Sequence, residues 1–299
     1  LLPDTGTGGM ATLTSAQIDD FRTDGCLLVE QAIPGEELAA LRDELDAWIG
    51  LSRTHDRPWG DTGHGFPRFD LETGHTAEAP RLRRVNNPAE ISPAYEHATF
   101  GSAMAAIIAA LIGPDVKFHH GKINVKLPHT RSRVGLHQDF SYTPHTNDDI
   151  VTALLMLDDV TLENGPLMVV PGSHREGQVS LWQDGAFTGQ VSGDAATAFA
   201  PRLRPVTGRA GDVCLMHTSL VHGSEPNRSA RRRALLISVY TAADAWMLCP
   251  SPLPNRFEGR IVAGRAARRA RLTKSDVELP ALDHQGSFFN LSGQGTNAA

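Results

Sequence analysis

Along this chain the spacing of apolar positions changes near residue 115, from helical to strand-like. Upstream, Thr14-Ser15-Ala16-Gln17 has the form of a capping box, which predicts a short helix ended by Gly25 and followed by a strand over Cys26 to Glu30. Pro34 opens a second helix whose Leu38, Leu41, Leu45, Trp48 and Ile49 recur at helical spacing, as in a scaffold helix laid against a sheet. A third helix is expected from Ser92 to Ile112, burying Phe100, Met104, Ile107, Ile108 and Leu111 and stopped by Gly113-Pro114. Between them, residues 52–80 are rich in Gly, His, Asp and Pro without a period, which predicts a loop able to cover a site.

From Val116 to Tyr240 the pattern becomes short strands divided by turn formers, the all-β signature of a sandwich or barrel. Lys122 to Leu127 alternates polar and apolar residues, and Ile150 to Leu157 is a buried-strand run. No repeat, low-complexity tract or compositional break marks a linker, so one domain is expected: a helical N-terminal part (10–115), a β core (about 116–242) and a C-terminal extension (243–299). Leu1 to Gly9 reads as a cloning remnant ahead of Met10.

The net charge of −6 over 299 residues argues against a nucleic-acid binder, which would show a basic balance or stripe. Cys26, Cys214 and Cys249 are odd in number and widely spaced, which fits reduced thiols in the cytoplasm and no zinc spacing. The most apolar stretch, Ala103 to Ile112, is too short to span a bilayer, and the N-terminus lacks the build of a signal peptide. A cytoplasmic protein with a small-molecule substrate is expected, with no nucleic-acid or membrane partner and the oligomeric state open.

The chemistry gathers at a few positions. His137 and Asp139 stand two apart among predicted strands, so their side chains point the same way and can grip one metal ion. A second His-x-acid pattern, His174-Arg175-Glu176, lies behind Asn164-Gly165-Pro166 and Pro171-Gly172-Ser173, where turn formers defeat the alternation argument. His217 and His222 are both candidates for a third ligand. Two imidazoles and one carboxylate leave three cis positions free, the arrangement with which non-haem Fe(II) oxygenases take O2 and a chelating co-substrate. Arg233 shares a strand face with Leu235, Ile237 and Val239, and a guanidinium on an apolar inward face demands an anionic partner; the far carboxylate of a chelating co-substrate would serve. Arg231 and Arg232 read as solvated or at the strand entry.

Other positions carry two readings each. Ser224 either adds a hydroxyl to that carboxylate or is a turn serine before Pro226. Lys122, Asn124 and Lys126 share one strand face and point all inward or all outward. Tyr142, His145, Trp182 and Phe187 lie in loops near strand ends, as substrate contacts or wall packing. Arg265, Arg268 and Arg269 form either a solvated helix face or a grip on an anionic substrate.

In this order and at these distances, His137-Gln138-Asp139, Leu162-Glu163-Asn164-Gly165-Pro166-Leu167 with Pro171-Gly172-Ser173-His174, and His222-Gly223-Ser224 with Arg233 resemble the phytanoyl-CoA dioxygenase family of Fe(II)/2-oxoglutarate oxygenases, over about Lys122 to Tyr240. The resemblance implies a mainly β fold with flanking helices around a double-stranded β-helix, the cupin-like jelly roll. It favours His222 as third ligand, eleven residues before Arg233. It turns Lys122 and Asn124 inward, one or the other reaching the co-substrate. The implied reaction is hydroxylation of an unactivated C–H bond of a small organic molecule, with O2 consumed and succinate and CO2 released. Asp139 favours hydroxylation over halogenation, whose enzymes lack that carboxylate. Desaturation, epimerisation and ring formation use the same ligands. Outside the class stand a non-redox cupin-like metal enzyme, which would not need Arg233, and a non-catalytic ligand-binding jelly roll, which would retain no metal.

Overall fold

The computed structural model describes residues 12–129 and 132–281; residues 1–11, which take in the expected remnant Leu1 to Gly9, and the chain beyond Ala281 lie outside the described residues. Its helices are α1 (Ser15–Asp24), α2 (Gly35–Ser52), α3 (Pro93–Phe100), α4 (Met104–Ile112) and α5 (Gly193–Phe199). Its strands are β1 (Cys26–Val29), β2 (Trp59–Asp61), β3 (Pro67–Leu71), β4 (Leu82–Asn86), β5 (Val116–Lys126), β6 (Val134–His137), β7 (Ile150–Met156), β8 (Leu167–Val169), β9 (Trp182–Gln183), β10 (Ala186–Phe187), β11 (Arg204–Val206), β12 (Val213–His217), β13 (His222–Ser224), β14 (Arg233–Ala242) and β15 (Ile261–Ala263).

The capping box at α1 is formed: the Thr14 hydroxyl accepts from Gln17 N at 3.2 Å and the Gln17 side chain accepts from Thr14 N at 2.9 Å. Gly25, at φ 77°, then turns the chain into β1. Two antiparallel sheets follow. The large one runs β1-β12-β7-β14-β5-β4-β3-β2, with β15 added on β5, and the small one runs β11-β8-β13-β6. The sequence reading is corrected in two places upstream. Residues 52–80 are not all loop, because β2 and β3 extend the large sheet there, and Phe69 stacks on Trp59 and meets Trp48 edge-on. The expected third helix is two, since Gly101 ends α3 before α4 begins.

Alternation along the large sheet sorts its side chains between two cores. Val151, Ala153 and Leu155 of β7 and Ala234, Leu236 and Tyr240 of β14 pack with Leu41, Leu45, Tyr95, Ile107 and Ile108 of the helices. The other face carries Leu154 and Met156 of β7, Met216 of β12 and Leu235 of β14, which meet Val169 of β8 between the two sheets. A sheet covered on both faces explains why β7 reads as an apolar run broken only by Thr152. α3 and α4 together reach the length and apolarity of a membrane span, yet Met104, Ile107 and Ile108 are core residues here. Beyond Ala242 the described chain is irregular apart from β15, so Arg265, Arg268 and Arg269 lie on no helix and are exposed.

Candidate metal centre and its cavity

His137 ends β6 and lies directly across from His222, which begins β13. Antiparallel register thus brings together two residues 85 positions apart, with ring centroids 4.2 Å from each other. Asp139 is not in the strand, as sequence alternation assumed, but opens a 3-10 turn. Gln138 between them keeps an extended backbone (φ −112°, ψ 132°), so the alternation still carries the carboxylate to the same side as His137. Gln138 itself points the other way and is tied to the backbone of Gly177, Ser219 and Val179. The three ligand atoms of His137, Asp139 and His222 lie within 4.8 Å of one another, and Asp139 Oδ1 is 3.6 Å from His137 Nε2 and 3.7 Å from His222 Nε2.

Each imidazole is oriented by its own strand. Nδ1 of His137 donates to Gly135 O and Nδ1 of His222 donates to Leu220 O, both at 2.9 Å. A proton fixed on Nδ1 leaves the Nε2 lone pair for a metal. The Thr152 hydroxyl donates to Asp139 Oδ2 at 2.9 Å, which presents Oδ1 to the two rings. Burial, then the neighbouring His137, pushes His222 down to about 4, so its ring is neutral near pH 7. Burial alone would raise Asp139, but His222 and His137 beside it hold the carboxyl well below the usual carboxylate range. Neutral imidazoles and an ionised carboxylate are the forms a divalent metal binds, and this donor set fits iron(II) with open positions.

The centre opens into a cavity of about 920 Å³. Arg233, Leu235, Ile237 and Val239 of β14 line it, as their shared face predicts, and Lys122, Asn124 and Lys126 of β5 line it too, which resolves their orientation as inward. Arg233 is 3% exposed. Its Nη2 donates to Gly165 O at 2.7 Å while its buried Nε has no partner among the described residues. Burial pushes its guanidinium down to about 10, still charged at neutral pH. Ser224 lines the cavity from β13.

His217 is not in the group: its Nδ1 accepts from Ser219 N at 3.0 Å and its ring lies 5.0 Å from that of His174, which sits on a 3-10 turn. Arg232 pairs with Asp158 at 2.9 Å and with Asp46, and Arg231 is exposed. Of the four proposed substrate contacts, only Tyr142 lines the cavity, its hydroxyl donating to Gly189 O. His145 is buried against His119, ring centroids 5.1 Å apart, and Phe187 packs between Tyr142 and Trp182. Loop residues His64 and Phe66 form part of the wall. Sequence reasoning passed over Thr152 and Arg84. Both were visible as polar side chains on inward positions of otherwise apolar or buried strands.

The family model described as phytanoyl-CoA dioxygenase (PhyH) matches residues 21–235. A probable alpha-ketoglutarate-dependent hypophosphite dioxygenase of Stutzerimonas stutzeri is 32% identical over 221 residues, 71% of this chain and 75% of the relative. The L-proline trans-4-hydroxylase of Streptomyces griseoviridis is 32% identical over 233 residues, 68% and 85% of the two chains. Among solved structures, iron-bound EctD from S. alaskensis superposes with a TM-score of 0.68 at 20% identity, covering 88% of this chain and 90% of its own, a likeness of fold. The family match takes in most of the jelly roll, with both histidines, Asp139 and Arg233 inside it, and so the chain belongs to the phytanoyl-CoA dioxygenase family of iron(II)/2-oxoglutarate-dependent oxygenases.

Proposed function

We propose that His137, Asp139 and His222 hold iron(II) from one side, that Arg233 anchors the distal carboxylate of 2-oxoglutarate with Ser224, Asn124 and Lys122 around the co-substrate, and that the reaction hydroxylates an unactivated C–H bond of a small organic molecule. The chain is a 2-oxoglutarate-dependent dioxygenase, and iron with its co-substrates O2 and 2-oxoglutarate supplies the oxidising power, leaving succinate and CO2. The relatives named above act on hypophosphite and on L-proline; a substrate of similar size leaves room beside 2-oxoglutarate in a cavity of about 920 Å³.

The protein's own part is geometric. The two Nδ1 bonds and the Thr152 bond hold the three side chains in register at the cavity wall, where a metal held by them would be reached from the cavity. Arg233, fixed by Gly165, sets the far end of the co-substrate. Apolar walls at Leu154, Met216 and Ile237 exclude water and hold the target carbon, whose displacement by about an ångström would lose on the order of a hundredfold in rate. One observation carries the reading: a two-histidine, one-carboxylate group and a buried arginine with an unpartnered Nε share a single cavity.

Adding Fe(II) and 2-oxoglutarate without air tests it through the visible charge-transfer band of the chelate. The parent should form the band, Asp139→Ala and His222→Ala should lose it, and Arg233→Ala should need roughly a hundredfold more 2-oxoglutarate, the scale of removing one partner of a buried charge pair. Variants that bind co-substrate as well as the parent does would overturn the assignment.

A further inference from the structure

β5 carries a bulge where it passes the cavity. Val239 of β14 faces His120 and the next residue, Tyr240, faces Phe118, so His119 is the extra residue of the pairing. Its carbonyl is met from outside the ladder by Asn255 Nδ2, at 2.8 Å. Strict alternation would put His119 and His120 on opposite faces, but the extra residue turns the two imidazoles toward each other, Nδ1 to Nδ1 at 2.7 Å. His120 lines the cavity, in the row His120, Val239 and Thr152 that crosses β5, β14 and β7. Thr152 bonds Asp139, so this row is the one at the metal group, whereas Arg233 lies opposite Lys126, six residues further along β5.

Met247 sets the tautomers of the pair. His119 Nε2 stands 3.1 Å from Met247 Sδ, and a thioether has no proton to give, so this nitrogen carries the hydrogen and donates it. Burial, then the neighbouring His120, holds His119 well below the usual histidine range, so its ring has one proton only. His119 Nδ1 is therefore a lone pair, and the bond between the rings is donated by His120 Nδ1. His120 is neutral too, since burial, then Lys122, pushes it down to about 3. Its Nε2 is left as an acceptor, with no hydrogen-bond partner among the described residues. The relay is braced from behind: Met247 pairs with His145 in an antiparallel bridge, and the His145 ring lies 5.1 Å from that of His119.

This lone pair does not suit the co-substrate. At neutral pH 2-oxoglutarate is a dianion whose oxygens all accept and none donates, so at His120 it would set acceptor against acceptor. Nor does the ring belong to the metal group, which among the described residues takes in His137, Asp139 and His222. A buried acceptor in a cavity wall calls for a donor, and of the molecules the site must take, the primary substrate is the one left to bring it.

We propose that His120 is a specificity-determining residue, whose Nε2 accepts a hydrogen bond from a hydroxyl or N–H group of the primary substrate. Met247, acting through His119, holds it in the accepting tautomer. The site thereby selects small molecules that bear a donor over analogues in which the donor is methylated. The place of the substrate rests on the proposed iron and 2-oxoglutarate site, and the test separates the two.

The tautomer is read first, in the metal-free protein, by long-range proton–nitrogen NMR of 15N-labelled histidine, with His120 assigned from its absence in His120→Gln. Its Nδ1 should carry the proton and its Nε2 none; a proton on Nε2 overturns the proposal whatever the metal site does. The anaerobic Fe(II)/2-oxoglutarate holoenzyme is then titrated with matched probes, following shifts of the chelate band: L-proline and its N,N-dimethyl betaine, 2-pyrrolidinone and N-methyl-2-pyrrolidinone, cyclopentanol and methoxycyclopentane. The donor of at least one pair should act at a concentration about threefold to tenfold lower than its methylated partner, the scale of one hydrogen bond to a neutral acceptor. His120→Leu should abolish that preference. His120→Gln, whose amide oxygen also accepts, should keep it and guards against a folding defect in the leucine variant. Equal action within every pair, no response to any donor probe, or a preference that survives in His120→Leu overturns the proposal. Failure of the parent to form the chelate would instead sink the co-substrate assignment.

Discussion

Arg233 Nη2 donates to Gly165 O at 2.7 Å, which ties the first residue of β14 to the Asn164-Gly165-Pro166 turn 68 residues earlier. The turn needs glycine twice over. Gly165 has φ +82°, and a Cβ there would lie 2.5 Å from Glu225 O and 2.9 Å from Lys126 Cδ. The turn is thus a cradle for the arginine as well as a change of direction.

Gly165→Ala should therefore displace the carbonyl that holds Arg233 and weaken 2-oxoglutarate binding by about tenfold, with a stability loss of about 1–3 kcal/mol from the forced backbone. Titration of the chelate band and thermal melting read the two effects separately. A lowered melting temperature with unchanged co-substrate affinity would mean that the turn supports the fold without positioning Arg233.

In the proposed site Thr152 would act on a bound metal through Asp139. Thr152→Val keeps shape and burial but removes the donor to Oδ2, leaving the carboxylate free to rotate and a lone pair unanswered. Iron(II) affinity should fall about 10-fold to 100-fold, the usual cost of losing such a supporting bond, and Thr152→Ser should restore most of it. Equal metal affinity in the valine variant would show that the two histidines alone orient the site.

How much of this was legible in the chain depends on the range over which each residue acts. Local rules found the Thr14 cap, the α2 face and the inward face of β14, because caps and periodicities need only near neighbours. Asp139 reached its place for a reason the alternation rule only half captures: the strand stops at His137, and the extended backbone of Gln138 carries the pattern one step further. β2 and β3 were missed because residues 52–80 hold glycines and histidines where strand formers were sought, and pairing to β4 overrides that weak propensity. The choice of His222 over His217 needed the resemblance, since only β6 pairing, invisible in the spacing, separates them.

Lys126 gives the fold a pH dependence of defined sign. Burial and the adjacent Arg233 push it down to about 6, against about 10.4 in an unfolded chain. Between those values the unfolded state binds a proton that the folded state releases, so this residue makes stability rise with pH across the window, by up to about 1.4 kcal/mol per pH unit. Lys126→Met removes that slope. Its melting temperature should exceed the parent's most near pH 6 to 7, with the advantage fading toward pH 10. A difference that stays constant from pH 7 to 9.5 would show Lys126 to be charged in the folded protein.

Trp182, expected at the substrate, instead holds the segment that closes the cavity. Its Nε1 donates to Leu279 O at 3.2 Å, Ser180 Oγ donates to Glu278 Oε1 at 3.0 Å, and the next residues, Pro280 and Ala281, form part of the cavity wall. With Gln178 Nε2 donating to Glu278 O at 3.4 Å, the anchor is three exposed hydrogen bonds from the two-strand hairpin and the residues before it, a contact from the weak end of the stability range. Trp182→Ala should therefore speed amide hydrogen exchange over residues 277–281 by about tenfold while leaving iron and 2-oxoglutarate affinities unchanged, because none of the proposed ligands touches it. It should also raise succinate release in the absence of substrate, since an open wall admits water to the site. Trp182→Phe, which keeps the ring and loses the donor, should fall between parent and alanine. Exchange at 277–281 that matches the parent's in both variants would mean that the wall is held from elsewhere.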